Sequence, residues 1–414
     1  MMRKWVTLLF LVGTAWPAMV EKSVSIQQLE QMLFADHGKS DEKVAERLSD
    51  VTLTERVSPI RLAKWEKEYP GSHTREALMK LADQAAFLDP PEADVLRDPP
   101  PDNETQERML ALALDYVKTA IRRLPNFYAT RETTHFEDAP SQQSTSASPA
   151  SFGSAVRNMR VPGLAIGRTE SKPLRSTGAS SVTVTYRDGG EVGVTQTDKS
   201  KTEDHPVTGL TTSGEFGPIL GVVLGDAMRG QVTWARWEQG AGDPVAVFRY
   251  SVAADASNYT VRIPNESKYE EVHSAYHGEI AIDPATGSVL RLSIVAELAP
   301  PYETMRTAIA VEYAPVEIGD RTYDCPVHGV AFSKVPVPSA KAEPPDAAPE
   351  VQTQLNDVAF THYHLFGSEA RIVGDGSGTG AGSPAASGAV PAAAGTPAAV
   401  TGDSSSAPPT NQKQ

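Results

Sequence analysis

The stretch His277-Gly278-Glu279-Ile280-Ala281-Ile282-Asp283-Pro284-Ala285-Thr286-Gly287-Ser288-Val289-Leu290-Arg291-Leu292 decides the fold of this chain. Two strand-like runs flank Asp283–Gly287, whose Asp, Pro and Gly are turn chemistry, so the stretch reads as a hairpin. The same period of two recurs on both sides of it. Asn126–Asp138 (NFYATRETTHFED) alternates with β-branched and aromatic residues. Further strand-like runs are Val182–Tyr186, Gln231–Glu238, Val245–Val252, Tyr259–Ile263, His273–Ile282, Ser288–Leu298, Thr307–Tyr313, Val327–Val335 and Asn356–Val373. Asp188-Gly189-Gly190 supplies another hairpin turn. A mainly antiparallel β domain is therefore expected over residues 126–373. One apolar helix, Phe216–Met228 (FGPILGVVLGDAM), interrupts it.

Upstream the period changes to 3.6. Residues 24–124 read as a helical module, with apolar residues at helical intervals such as Leu78, Leu81, Ala85 and Leu88. Ser25 with Gln28, Thr52 with Glu55, and Asn103 with Gln106 have the spacing of capping boxes, and Ser58-Pro59 suits a helix start. Ser25–Asp50 and Ser58–Asp83 each read as two short helices around a glycine turn, an echo at a spacing of about 33 residues.

The ends and joints have other compositions. Arg3 and Lys4 followed by the apolar run Trp5–Val12, then Gly13 and Ala15, predict a secretory signal peptide within residues 1–18. That apolar run is shorter than a membrane span, so no transmembrane segment is expected after cleavage, and the protein is expected to be exported, periplasmic or extracellular. Residues 139–160 and 335–352 read as flexible loops, and the Gly/Ala/Ser/Pro-rich residues 374–414 as a disordered tail. The expected fold class is α+β: a helical module, a curved antiparallel sheet with one packed helix, and the tail.

With 38 basic and 52 acidic residues the formal charge is −14, which disfavours a nucleic-acid partner. Cys325 is the single cysteine, so no intramolecular disulfide can form. The chain carries no nucleophile elbow, phosphate loop, zinc-protease helix or cysteine metal pattern, so neither catalytic residues nor a cofactor are assigned. His362 and His364 flank Tyr363 on an expected strand, where both would share a face; they are the candidates for a metal, with His328, His277 or a carboxylate as a further ligand. Two histidines satisfied by hydrogen bonds are the plainer expectation. Phe216, Ile219, Leu220 and Val223 are the candidates for lining an apolar groove beneath the interrupting helix. Gly217, Gly221 and Gly225 form a stripe on that helix that would allow close packing, and Trp234 and Trp237 are expected on opposite strand faces.

The hairpin 277–292, together with Val311-Glu312-Tyr313 and Val316-Glu317-Ile318-Gly319, resembles the central hairpins of the lipoprotein-carrier (LolA/LolB-like) half-barrel group of bacterial envelope proteins. The resemblance implies a curved sheet with helices across its concave side, binding acyl chains or acting as a sensor, and it assigns no functional residue. Three functions are thus in view. One is a non-catalytic envelope protein with an interaction or structural role, using the helical module for a protein partner. The others are a carrier or sensor of an apolar, lipid-like ligand, and a hydrolase with an unrecognised site.

Overall fold

The computed structural model describes residues 22–138, 174–196, 214–265, 268–302, 305–336 and 351–366. The expected signal segment, the tail after 373 and nearly all of the two expected loops lie outside the described residues.

The N-terminal part runs β1 (Lys22–Val24), α1 (Ile26–Asp36), α2 (Asp41–Ser49), β2 (Val51–Leu53), α3 (Pro59–Glu68), α4 (Ser72–Gln84), β3 (Val95–Leu96) and α5 (Asn103–Arg123). The rest runs β4 (Phe127–Asp138), β5 (Leu174–Arg187), β6 (Gly190–Gln196), α6 (Pro218–Ala227), β7 (Gln231–Gln239) and β8 (Pro244–Val252). It continues through β9 (Thr260–Asn265), β10 (Lys268–His273), β11 (Ala275–Ile282) and β12 (Val289–Glu297). The last strands are β13 (Arg306–Ile318), β14 (Arg321–Pro336) and β15 (Val351–Leu365). The fold is α+β.

Among the described residues, eleven strands form one open sheet in the order β3-β7-β8-β11-β12-β13-β14-β15-β4-β5-β6, antiparallel throughout. Inside it, beside the central strand β13, lies the hairpin read first in the sequence, with Ile280 opposite Leu292 and Ala281 opposite Arg291. Gly287 closes its turn at φ +77°, and a Cβ there would stand 2.5 Å from the backbone of Leu112 in α5. Only glycine allows that conformation and that approach.

Alternation divides the sheet into two faces. On the first, Phe248, Tyr276, Ile280, Leu292, Ile294, Ile309 and Val311 pack against Met109, Ala113 and Val117 of α5 and against α6. On the second, the intervening positions carry Arg249, Glu279, Arg291, Glu312, His328 and Asp357. Helices α1–α4 have their own core around Leu29, Leu48, Trp65, Leu78 and Leu81. That layer lies against the second face, where Met79, Ala86 and Phe87 meet Phe136, Ala310, Val330 and Leu355. The stretch 24–124 is thus divided between the two faces of the sheet.

Local details depart from the sequence reading in physically simple ways. The capping box at Ser25 and Gln28 forms, and Ser58 precedes Pro59 at the start of α3. Thr52 lies in β2 instead of capping a helix, and Glu55 accepts the Ile26 amide of α1 at 2.8 Å. Helix α5 is capped by Asp102, one residue before the expected Asn103, through the Thr105 amide at 2.8 Å. A bulge between Trp234 and Arg236 rotates β7, so the two tryptophans share the first face with ring centroids 4.8 Å apart. An extra residue at a bulge shifts the side-chain alternation.

Candidate functional site

Between the helical layer and the second face of the sheet lies a chamber of about 440 Å³. Val57, Leu62, Met79, Ala82, Val327 and Val330 give it apolar walls, and the exposed Pro59 and Ala63 stand at its rim. Charged side chains line it too: Arg56, Glu66, Asp83, Arg291, Glu312, His328 and Asp357. The sheet supplies Arg291, Glu312, His328 and Asp357 from adjacent strands, where Glu312 pairs with both Arg291 and His328. The helical layer supplies Asp83 from the last turn of α4 and Arg56 from the connection before α3.

One end of the chamber is a compact acid–base cluster. His328 Nε2 lies 2.8 Å from Asp357 Oδ1 and 3.3 Å from Asp83 Oδ1, while its Nδ1 lies 3.7 Å from Glu312 Oε2. Burial alone would lower the histidine pKa, but Asp357, Asp83 and Glu312 hold it well above the usual histidine range. Burial pushes the Asp83 carboxyl up to about 7, reinforced by Asp357 and opposed by His328. Burial raises Glu312 as well, yet His328, Arg291 and Arg56 outweigh it and keep that carboxylate below its ordinary value. Asp83 is 1% exposed, and neither of its side-chain oxygens has a hydrogen-bond partner among the described residues. Its one charge partner among the described residues is His328, whose Nε2 stands 3.3 Å from Oδ1 and closer, at 2.8 Å, to Asp357. A buried carboxylate with no hydrogen bond and a single long ion pair is costly, so it marks a site.

Beyond this cluster an ionic lattice ties the layers together. Arg56 donates to Glu238 Oε2 at 2.8 Å, and Arg291 donates to both oxygens of Glu238 at 3.1 and 3.2 Å. Arg236 bridges Glu238 and Glu279, each at 2.6 Å. Arg249 reaches Glu279 and Asp89. Opposite charges balance closely in this lattice, which allows Arg56, Arg236, Arg291, Glu238 and Glu279 to be largely buried together, while Arg249 and Asp89 stay exposed at its edge.

The residues singled out in the sequence lie elsewhere. His362 and His364 are both exposed near the end of β15, and a bulge between Thr361 and His364 with φ +50° at His362 turns them outward. Tyr363 takes the inward place between them, packing with Phe127 and Phe216. The pair therefore does not continue the apolar face of Val358 and Phe360. His328, considered only as a further ligand, is the histidine that gathers carboxylates.

Phe216 is part of an aromatic cluster with Phe127, Tyr186 and Phe360, and Ile219, Leu220 and Val223 are buried in the main core. The space beside Phe216 and Leu220 amounts to about 20 Å³, room for about one water molecule. The glycine stripe does not pack closely along its length. A Cβ at Gly221 or Gly225 would meet nothing within 4 Å, while one at Gly217 would lie 2.6 Å from Ile121 Cγ1. Cys325 is buried, and burial with the nearby Asp324 pushes its thiol up to about 12, so it is chemically quiet.

A second buried acidic pair joins Glu191 and Glu215 near the start of α6. Burial and the neighbouring Glu215 raise Glu191 to about 7, while the Gly214 amide donates to it at 2.9 Å. Neither side-chain oxygen of Glu215 has a partner other than Glu191 among the described residues.

Fold and site together define an α+β protein with a charged chamber enclosed between a helical layer and an antiparallel sheet. No family model, curated protein or solved structure matches the chain. No helix among the described residues is long and apolar enough to cross a membrane.

Proposed function

We propose that the protein is an exported, non-catalytic binding protein, a carrier or sensor that takes a small amphipathic molecule into the chamber beneath α3 and α4. The observation that carries this reading is the lining of that ≈ 440 Å³ space, with apolar walls and an acid–base cluster converging at one end. Ligand sites combine these features: apolar area supplies affinity, and a few fixed polar groups orient the ligand. The apolar body would lie against Val57, Leu62, Met79 and Val330, with the polar head toward His328, Asp83 and Asp357. The expected groove under α6 is a weaker candidate, because its residues already fill one another's space.

The test is thermal denaturation against a set of medium-chain carboxylates, amines and alcohols, with wild type and Ala63→Trp compared. Ala63 is exposed at the rim, so an indole there closes the chamber without overpacking the core. At least one ligand should raise the wild-type Tm by several degrees and leave the variant unmoved. An equal rise in both proteins would reject the chamber as the binding site.

A further inference from the structure

The geometry points to a divalent metal site, of the zinc class, formed by Asp83, His328 and Asp357 in the wall of the chamber. One ligand atom from each of these residues lies within 4.8 Å of the others. Zinc takes imidazole nitrogen and carboxylate oxygen at roughly 2.0–2.2 Å, so tetrahedral ligand atoms stand about 3.3–3.5 Å apart. The His328–Asp83 separation of 3.3 Å already fits, and the His328–Asp357 separation of 2.8 Å needs only a small opening.

Three features make this more than an acidic cluster. Asp83 is almost fully buried, neither oxygen has a hydrogen-bond partner among the described residues beside the 3.3 Å ion pair of Oδ1 to His328, and a cation would satisfy it. Glu312 Oε2 faces the other imidazole nitrogen at 3.7 Å, placed to accept a hydrogen bond from Nδ1–H after a small approach, once Nε2 has released its proton to solvent and given its lone pair to a metal. That carboxylate–histidine–metal relay fixes the ring and strengthens the ligand. The chamber also borders all three candidate ligands, which leaves a coordination position open toward it. Sites with three protein ligands and an open fourth position hold exchangeable water or ligand, unlike closed structural sites. With one imidazole and two carboxylates, zinc should bind more tightly than manganese, and magnesium hardly at all.

This inference rests on the chamber being a functional site but needs no organic ligand. Purified full-length protein, treated with chelator, is titrated with zinc chloride by calorimetry and examined by native mass spectrometry. One zinc per chain is expected. Asp83→Asn and His328→Gln should each weaken binding by more than the about 10–100-fold that outer partners are worth, and Glu312→Gln by about 10-fold. Circular dichroism checks the fold of each variant. X-ray absorption on the zinc-loaded wild type needs no variant, and should give one imidazole and two or more oxygens at about 2.0–2.1 Å. Ala63→Trp should keep its zinc even where it loses the organic ligand, which separates failure of this inference from failure of the binding role. No zinc uptake at micromolar free metal would overturn it. So would zinc retained by Asp83→Asn and His328→Gln but lost in the His362→Ala, His364→Ala double variant.

Discussion

Gly221 stands exposed on α6, where a Cβ would meet nothing within 4 Å. Gly221→Ala should therefore stabilise the protein by about 0.5–1 kcal/mol through helix propensity alone. Gly217 is the opposite case, with φ +148° and Ile121 in the way of any side chain. Gly217→Ala should destabilise by more than about 1 kcal/mol, through strain at that φ and the clash together. Thermal unfolding of the two variants reads both signs. The spacing of these glycines was plain in the sequence, but spacing alone cannot say which position meets a neighbour. The same limit holds at His362 and Trp237. His362 lies within a bulge and Trp237 follows one, and one extra residue moves later side chains to the other face. Nothing in the local residue types announces that extra residue.

Among the elements, β7 carries the greatest electrostatic burden. Glu238 is held by Arg56 from the helical layer and by Arg236 and Arg291 from the sheet. Burial raises its carboxyl, but Arg291 and Arg56 outweigh burial, and the net pKa lies well below the ordinary value of 4.5. The sign follows from linkage. A carboxylate with a depressed folded pKa contributes stability that is complete above its unfolded pKa and is lost as pH falls through its folded value. Stability should therefore decline as pH drops below about 4.5, and part of that decline should be absent in Glu238→Gln. At pH 7 the variant leaves buried arginines without their shared partner, at a cost of about 3 kcal/mol. Denaturant titrations of both proteins at pH 7 and pH 3.5 check the two statements; parallel pH profiles would contradict the assignment. The strands themselves are legible, because apolar residues alternate in runs such as Ala246, Phe248, Tyr250 and Val252, or Leu292, Ile294 and Ala296. The charged residues between them look like a solvated face. Only the helical layer above reveals that Glu238, Glu279 and Arg291 are largely buried.

For the whole molecule, fold class and element order followed from periodicity and turn chemistry, whereas the layering did not. Helices α3, α4 and α5 have similar one-sided patterns, yet α3 and α4 lie over the charged face and α5 over the apolar one. Periodicity tells which side of a helix is buried, not which surface it meets. For that reason the sequence points to a groove beneath α6, where core residues fill the space, and the chamber on the opposite face has no linear signature. Asp83 and Asp357 come together across 274 positions of chain, and only the tertiary fold sets them beside His328. The central claim is that this chamber is the binding site, and methyl-resolved NMR tests it most directly. On titration with the ligand that raises the Tm, the methyl groups of Val57, Leu62, Met79, Ala82 and Val330 should shift together and saturate with one affinity. Shifts concentrated instead at Ile219, Leu220 and Val223, with the chamber methyls unmoved, would contradict it.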